Sequence, residues 1–201
     1  MKLGASAHLG PDDIDSDLVA KAQVTYLEGY LFDPPPAQAA FRKAAAIAHQ
    51  AGKRVALSLS DPFCVDRHRS AFRELVTGEI DILLANEAEI CSLYETDDFD
   101  KAASAVREHV AIAALTRSAE GSVVLADGAM HKIPAAPVAR VVDTTGAGDL
   151  YAAGFLYGLT QGRPLPTCGA LGSLCAAEII SHVGARPEVK LSELAAKAGL
   201  G

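Results

Sequence analysis

Residues 141–159 read VVDTTGAGDLYAAGFLYGL and join a glycine-rich turn to an apolar helix. Gly146 and Gly148 allow backbone angles that bulkier residues resist, and they leave amides open to a ligand. Free N–H groups at a helix N-terminus attract anions. The stretch therefore predicts a phosphate-binding turn, although a lone G-x-G fits a plain strand-to-helix turn equally well. Thr144 and Thr145 are the expected N-cap residues of the helix.

Asp149 follows this turn directly and falls in the first turn of the predicted helix. A carboxylate repels a neighbouring anion, so its presence at an anion site indicates a separate role. Asp149 could accept the proton of a substrate hydroxyl group while the amides of the turn stabilise a transferring phosphoryl group. The alternative is that Asp149 complements the helix dipole, which is worth ~0.3–1 kcal/mol. Dipole complementation does not explain the glycines and threonines beside it.

Apolar runs with strand character alternate with helical ones along the chain. This alternation predicts one α/β domain over residues 1–201, with a mostly parallel central sheet and helices on both faces. Ligands should then lie at the carboxyl ends of the strands. We predict strands in 23–32, 54–60, 80–86 and 109–116, a hairpin over 121–134, and helices in 34–52, 86–94, 147–161, 165–183 and from Leu191. The segment 61–69, DPFCVDRHR, is predicted as a loop, either a solvated charged turn or one facing substrate or phosphate.

The composition limits the function classes that fit the chain. A net charge of -7 argues against nucleic acid as the main partner, because phosphate backbones require a basic surface. No apolar run approaches the ~18 residues of a membrane span, and the first residues lack the apolar core of a signal peptide. The four cysteines form no C-x-x-C pair, which favours buried free thiols. We therefore expect a cytoplasmic protein with a small-molecule substrate and no membrane partner.

The segment DTTGAGDLYAAGF, residues 143–155, resembles the signature D-T-T-G-A-G-D-x-[FY]-x-x-G-[FL] of the PfkB (ribokinase-like) carbohydrate and nucleoside kinases. The resemblance implies a ribokinase-like three-layer α/β/α fold and an ATP-dependent kinase that uses Mg²⁺. It also implies that Asp149 is the catalytic base. The amides of Gly146, Ala147 and Gly148 would form the anion hole.

Two further segments are similar to motifs of the same family. The segment ANEAE resembles its N-x-x-E motif, which places Asn86 and Glu89 near Mg²⁺ and its water shell. The residues alone fit a helix N-terminus with a surface acid. The segment LTRSAEG resembles the nucleotide loop T-x-G-x-x-G, which implies that Thr116, Ser118 and Gly121 contact the nucleotide. Ser118 stands where the family usually has glycine.

The segment CAAEIISHVGARP resembles the C-terminal helix and G-A loop of these kinases, which form a wall of the adenine site. By this resemblance Cys175 is the expected adenine contact, and Thr144 is expected to contact the nucleotide. Many members bind a monovalent cation such as K⁺ in this region. The corresponding residues here are Asp143, Thr145 and Gly184.

The resemblance begins near Ala22 and continues to the end of the chain. Family members usually begin with additional strands and a small β-sheet lid that helps to hold the substrate. We therefore predict that the chain is roughly the C-terminal two-thirds of a kinase, with the N-terminal strands and the lid missing. Many relatives dimerise through the lid, so a homodimer is expected only of a full-length protein.

The acceptor is predicted to be a primary hydroxyl group of a nucleoside or a sugar. The segments VTYLEGYLFDPP and VALSLSDPFCVDRHR are more similar to adenosine-kinase-like members than to ribokinases or fructokinases. A sugar kinase of the latter type and a fragment that binds nucleotide without transferring phosphate remain open alternatives. A dinucleotide-dependent oxidoreductase does not fit, because no G-x-G-x-x-G follows the first strand.

Overall fold

A computed structural model describes residues 4–201, in which strands and helices alternate. The strands are β1 (Val24–Glu28), β2 (Arg54–Ser58), β3 (Ile82–Asn86), β4 (Ile112–Thr116), β5 (Ser122–Ala126) and β6 (Ala129–Ile133). The α-helices are α1 (Ser16–Lys21), α2 (Pro35–Gln50), α3 (Pro62–Gly78), α4 (Glu87–Tyr94), α5 (Phe99–Val106), α6 (Ala147–Thr160), α7 (Leu165–Ile179) and α8 (Leu191–Lys197). Short 3-10 helices occur at Gly4–His8, Pro11–Asp13, Gly29–Phe32 and Ser118–Glu120.

The strands form a six-stranded sheet in the order β1-β2-β3-β4-β5-β6. Strand β2 pairs in parallel with both β1 and β3, and Val24 lies opposite Arg54. Strands β5 and β6 form the predicted antiparallel hairpin. Its two turn residues, Asp127 and Gly128, both have positive φ, as an Asp-Gly hairpin turn requires. The predicted α/β class with a mostly parallel sheet is confirmed.

The chain divides into two compact units, Met1–Ala113 and Ala114–Gly201. In the first unit, α2 presents a buried alanine-rich face that contacts β1 and β2. The face arises because apolar residues recur at helical spacing. Phe32 and Phe72 complete this core, with stacked rings whose centroids are 4.9 Å apart. The prediction of a single domain stays a prediction.

In the second unit, α6 packs closely against α7 because glycines line the contact. A Cβ on Gly154 would lie 2.6 Å from the carbonyl oxygen of Leu171, and one on Gly172 would lie 2.8 Å from that of Tyr151. Larger residues would force the helices apart. The Tyr151 hydroxyl group also donates to Ser122 Oγ at 2.8 Å, which ties α6 to β5. These contacts hold the helix that carries Asp149.

Two predicted elements differ from the structure. The first strand ends at Glu28 because Gly29 turns the chain in a place where a Cβ would lie 2.7 Å from the Ser58 carbonyl oxygen. The segment 61–69 is not a loop but the start of α3. Asp61 caps this helix by accepting from the Cys64 N–H at 2.8 Å, and Pro62 occupies its first position. An aspartate followed by proline is a helix-start signal that the loop prediction overlooked.

Within residues 4–201, none of the helices combines the length and the hydropathy that crossing a bilayer requires.

Candidate active site

The glycine turn before α6 differs from the prediction in its capping residue. Gly146, rather than Thr144 or Thr145, is the N-cap, with φ 82° and ψ 2°, and the helix has no side-chain cap. This left-handed conformation suits glycine and strains residues with a Cβ. The Thr145 hydroxyl group is turned away from the helix, where it donates to Asp143 Oδ1 at 2.7 Å. Neither threonine side chain therefore accepts from the N-terminal amides of α6.

The N–H groups at the start of α6 are largely available to a ligand. Ala147 donates its N–H to the Thr144 carbonyl oxygen at 3.1 Å. Within residues 4–201, the N–H groups of Gly146, Gly148 and Asp149 have no hydrogen-bond acceptor. Unbonded amides and the positive end of a helix dipole together form an anion-binding geometry. Of the three amides predicted to form the anion hole, those of Gly146 and Gly148 are unbonded, and that of Ala147 donates within the turn.

Asp149 lies in the first turn of α6 with an exposed side chain. In the described chain, no hydrogen bond or salt bridge occupies its carboxylate. A carboxylate that serves as a cap or as half of an ion pair would be engaged by its partner. Asp149 is instead free to accept a proton from a bound molecule, as a general base requires.

Asp143 connects the turn to the segment that follows α7. Its Oδ1 accepts from the N–H of Thr145 at 2.9 Å, and its Oδ2 accepts from the N–H of Gly184 at 3.2 Å. These donors, the Thr145 amide first, lower the pKa of Asp143 below its ordinary value. The structure therefore brings together the residues predicted to hold a monovalent cation. Gly184 has φ 106°, a conformation that favours glycine.

Asn86 and Glu89 form a capping box at the N-terminus of α4. Asn86 Oδ1 accepts from the Glu89 N–H at 2.9 Å, and Glu89 Oε2 accepts from the Asn86 N–H at 2.9 Å. The other carboxylate oxygen of Glu89, Oε1, accepts from Asn86 Nδ2 at 2.6 Å. Glu89 is only 5% exposed, so it is not the surface acid that the residues alone suggested.

Burial sets the protonation behaviour of Glu89. Loss of hydration raises its pKa from the ordinary 4.5 to about 7, and the charges of Glu28 and Asp61 act in the same direction. The hydrogen bond from the Asn86 backbone partly opposes this increase. A buried carboxyl group facing two other acids is a place where a cation would offset unfavourable charge.

Glu28 and Ser60 belong to this carboxyl-rich region and were missed from the sequence. The Ser60 hydroxyl group donates to Glu28 Oε1, and Ser60 Oγ accepts from the Tyr30 N–H at 3.0 Å. Ser60 adopts φ 71°, which is uncommon for a residue with a side chain. The available signal was position: both residues lie at the carboxyl ends of parallel strands, where ligand sites are expected.

The segment predicted to contact the nucleotide follows β4. Thr116 ends the strand, and the Arg117 N–H donates to the Gly121 carbonyl oxygen at 2.7 Å. Gly121 has φ 88°, and a Cβ there would lie 2.0 Å from the Ile133 carbonyl oxygen, so only glycine fits. Ser118 has φ 50°, a left-handed conformation. This backbone conformation explains why the family pattern has glycine at the position of Ser118. The serine adopts the same conformation under strain.

Cys175 lies inside the packing of α6 on α7. Its residue is 6% exposed, and a Cβ on Gly154 would lie 2.9 Å from its Sγ. Burial raises the pKa of the thiol. Its role as an adenine contact stays a prediction.

Comparison with known proteins identifies the class to which this site belongs. Residues 1–191 match the model of the pfkB family carbohydrate kinases, and the chain belongs to that family. The crystal structure of adenosine kinase from Sinorhizobium meliloti is 50% identical and superposes with a TM-score of 0.93, covering 96% of this chain and 59% of that protein. The ribokinase-like fold expected from the glycine turn is confirmed.

Two other relatives differ in the name of their substrate. Adenosine kinase of Saccharomyces cerevisiae is 29% identical over 94% of this chain and 59% of its own length. The structure of Arabidopsis thaliana ribokinase complexed with ribose and ATP is 24% identical, with a TM-score of 0.75 over 90% of this chain and 58% of that protein. This last likeness concerns the fold alone. The chain spans about 59% of the length of these adenosine kinases.

Proposed function

We propose that the chain carries the nucleotide-binding and catalytic part of an ATP-dependent kinase that phosphorylates a primary hydroxyl group. The acceptor is a nucleoside or a sugar, and an adenosine-like nucleoside is favoured. Family membership and the 50% identity to an adenosine kinase over 96% of the chain support this proposal. The observation that carries it is an unpartnered Asp149 beside unbonded amides at the start of α6.

In the proposed reaction, Asp149 accepts the proton of the acceptor hydroxyl group, and the oxygen of that hydroxyl group attacks the γ-phosphorus of ATP. The bond between the γ-phosphorus and the bridging oxygen breaks, and ADP leaves. The N–H groups of Gly146, Gly148 and Asp149 stabilise the charge that develops on the phosphoryl oxygens. The dipole of α6 acts in the same direction. Asp143 keeps the turn in this shape by accepting from the Thr145 and Gly184 amides.

The donor set around Asn86 suits Mg²⁺, which binds amide and carboxylate oxygens and retains water ligands. Asn86 and Glu89 would hold the ion through its water shell, and the nearby charges of Glu28 and Asp61 would favour a cation. Bound Mg²⁺ would neutralise phosphate charge during transfer. Thr116, Ser118, Gly121, Thr144 and Cys175 are proposed nucleotide contacts. A monovalent cation such as K⁺ is proposed at Asp143, Thr145 and Gly184.

The test of the base is Asp149→Asn in a protein that transfers phosphate. We expect kcat to fall by about 10²–10⁴, because the amide cannot accept the proton. Asp97→Asn changes an exposed acid in the loop between α4 and α5. It is the matched control and should leave turnover unchanged. A decrease of less than about tenfold for Asp149→Asn would show that Asp149 is not the general base.

A second candidate function is nucleotide binding without transfer. It is favoured by the share of the adenosine kinases that the chain spans, about 59%. Titration with Mg-ATP followed by phosphorylation assays on adenosine and ribose separates the candidates. Turnover on adenosine supports the first proposal, turnover on ribose alone supports a sugar kinase, and binding without turnover supports the second candidate. Absence of binding would contradict all of them.

A further inference from the structure

Glu178, near the end of α7, binds both ends of the segment that follows the helix, residues 181–188. Its Oε1 accepts from the Glu188 N–H at 2.8 Å and lies 3.2 Å from His182 Nε2. One carboxylate oxygen of Glu178 therefore contacts residues near both ends of this loop, His182 and Glu188. The Glu178 carbonyl oxygen also accepts from the Ser181 hydroxyl group at 2.7 Å.

The burial of Glu178 is unusual for an acid on an apolar helix. Its side chain is 7% exposed, and Oε2 is buried without a hydrogen-bond partner in the described chain. An unpaired buried carboxylate oxygen costs free energy of folding. The other oxygen, Oε1, offsets part of this cost through its contacts with the Glu188 N–H and His182, and these contacts bind the loop.

The loop held by Glu178 contacts the glycine turn at two points. The Gly184 N–H donates to Asp143 Oδ2 at 3.2 Å. A Cβ on Gly146 would lie 3.2 Å from the Cβ of Ala185, so these residues already pack against each other. The loop therefore lies against both Asp143 and Gly146, the N-cap residue of α6.

We propose that Glu178 is a positioning residue for phosphoryl transfer. It fixes the loop 181–188, which in turn holds Asp143 and Gly146 and so sets the geometry of the anion hole. The effect on turnover rests on the proposed kinase function, whereas the structural coupling does not. Glu178 touches no reacting group itself and acts only through Gly184 and Ala185.

Amide hydrogen exchange tests the coupling without any assay of activity. In Glu178→Ala, exchange at Glu188, Gly184 and Thr145 should accelerate by at least about tenfold, because each amide loses its acceptor or that acceptor's support. Glu193→Ala, which removes an exposed acid of α8, is the matched control and should leave these rates unchanged. Unchanged exchange at Gly184 and Thr145 in Glu178→Ala would overturn the proposal.

Two further variants keep the test decisive. Glu188→Pro removes the N–H donor together with the Glu188 carboxylate, which lies 3.8 Å from His182 Nδ1, and leaves the buried Glu178 carboxylate in place. It replaces Glu178→Ala if that variant does not fold, and Glu188→Ala, which keeps the N–H, is its control for loss of the side chain. Faster exchange at Gly184 is again expected, and unchanged exchange overturns the proposal. Glu178→Gln retains an oxygen that accepts from Glu188, so its exchange rates should stay within about threefold of the wild type.

Kinetics then test the consequence for catalysis. Glu178→Ala should lower kcat by at least about tenfold with little change in KM for Mg-ATP, and Glu178→Gln should restore most of it. A role in stability alone would lower the melting temperature without changing kcat of the folded enzyme. Faster exchange with an unchanged kcat would overturn the catalytic part of the inference. If the wild type transfers no phosphate, the proposed function fails, and the exchange rates still decide the coupling.

Discussion

Replacing Glu89 by glutamine should stabilise the protein above neutral pH. The wild-type carboxyl group is buried, and its pKa is raised to about 7 mainly by loss of hydration. Above that pH the folded protein must bury a negative charge close to Glu28 and Asp61. Glutamine has nearly the same shape and carries no charge. Its side-chain oxygen can still accept from the Asn86 N–H, so the capping box is retained, but the bond that Glu89 Oε1 accepts from Asn86 Nδ2 is lost at every pH.

The direction and size of the effect follow from linkage between protonation and folding. The folded-state pKa lies above the unfolded value of 4.5, so the stability contributed by the protonated form is complete below about pH 4.5. It is lost as the pH rises through about 7. This increase in pKa corresponds to roughly 3 kcal/mol, an upper value because water can enter a partly opened site. The Glu89→Gln variant, which has no ionisable group at this position, should not lose this stability as the pH rises.

Urea unfolding of both proteins at pH 5, 6, 7 and 8 provides the measurement. We expect the free energy of unfolding of Glu89→Gln, relative to that of the wild type, to rise by roughly 2–3 kcal/mol between pH 5 and pH 8. Glu87→Gln, in the same helical turn but less buried, is the control for charge removal near the helix N-terminus. Parallel pH profiles for Glu89→Gln and the wild type, within about 0.5 kcal/mol, would refute the account of a buried, destabilised carboxylate.

Three further substitutions test the backbone geometry of the second unit by thermal or urea unfolding. Ser118→Gly should stabilise the fold by about 0.5 kcal/mol, since relief of the left-handed strain at φ 50° exceeds the entropy cost of glycine; a loss of stability contradicts this. Gly121→Ala should destabilise it by about 3 kcal/mol or more, because the new Cβ would lie 2.0 Å from the Ile133 carbonyl oxygen. Gly172→Ala should cost about 1–3 kcal/mol by forcing α7 away from the Tyr151 carbonyl oxygen, and a neutral result would show that the helix pair adapts.

Much of the fold could be predicted because its elements follow local rules. The apolar spacing of α2 and the Asp-Gly turn between β5 and β6 each specify one structure. The start of α3 was predicted wrongly, because the charged residues in 61–69 are typical of a loop, whereas the Asp-Pro pair at its beginning indicates the start of a helix. Charge indicates exposure, and an exposed helix face is as charged as a loop.

The candidate site could be predicted only where its functional residues are close together in the sequence. Asp149 and the glycines lie next to one another in the sequence, so their motif is visible. Glu28 and Glu89 are separated by two helices and two strands, α2 to β3, and the electrostatic interaction between them depends on tertiary packing. Glu178 shows the same limit, because nothing in an apolar helix reveals that its acid binds the Glu188 amide.

The capping of α6 shows why the wrong N-cap prediction matters for function. A threonine side chain that capped the helix would accept from the same N–H groups that a phosphoryl group needs. Gly146 at the N-cap has no side chain to compete, and Thr145 donates instead to Asp143. Asp143 thereby performs two tasks, since it engages the threonine and binds the Gly184 amide. The helix gives up the stability of a side-chain cap, and in return the amides beside Asp149 remain free for an anion.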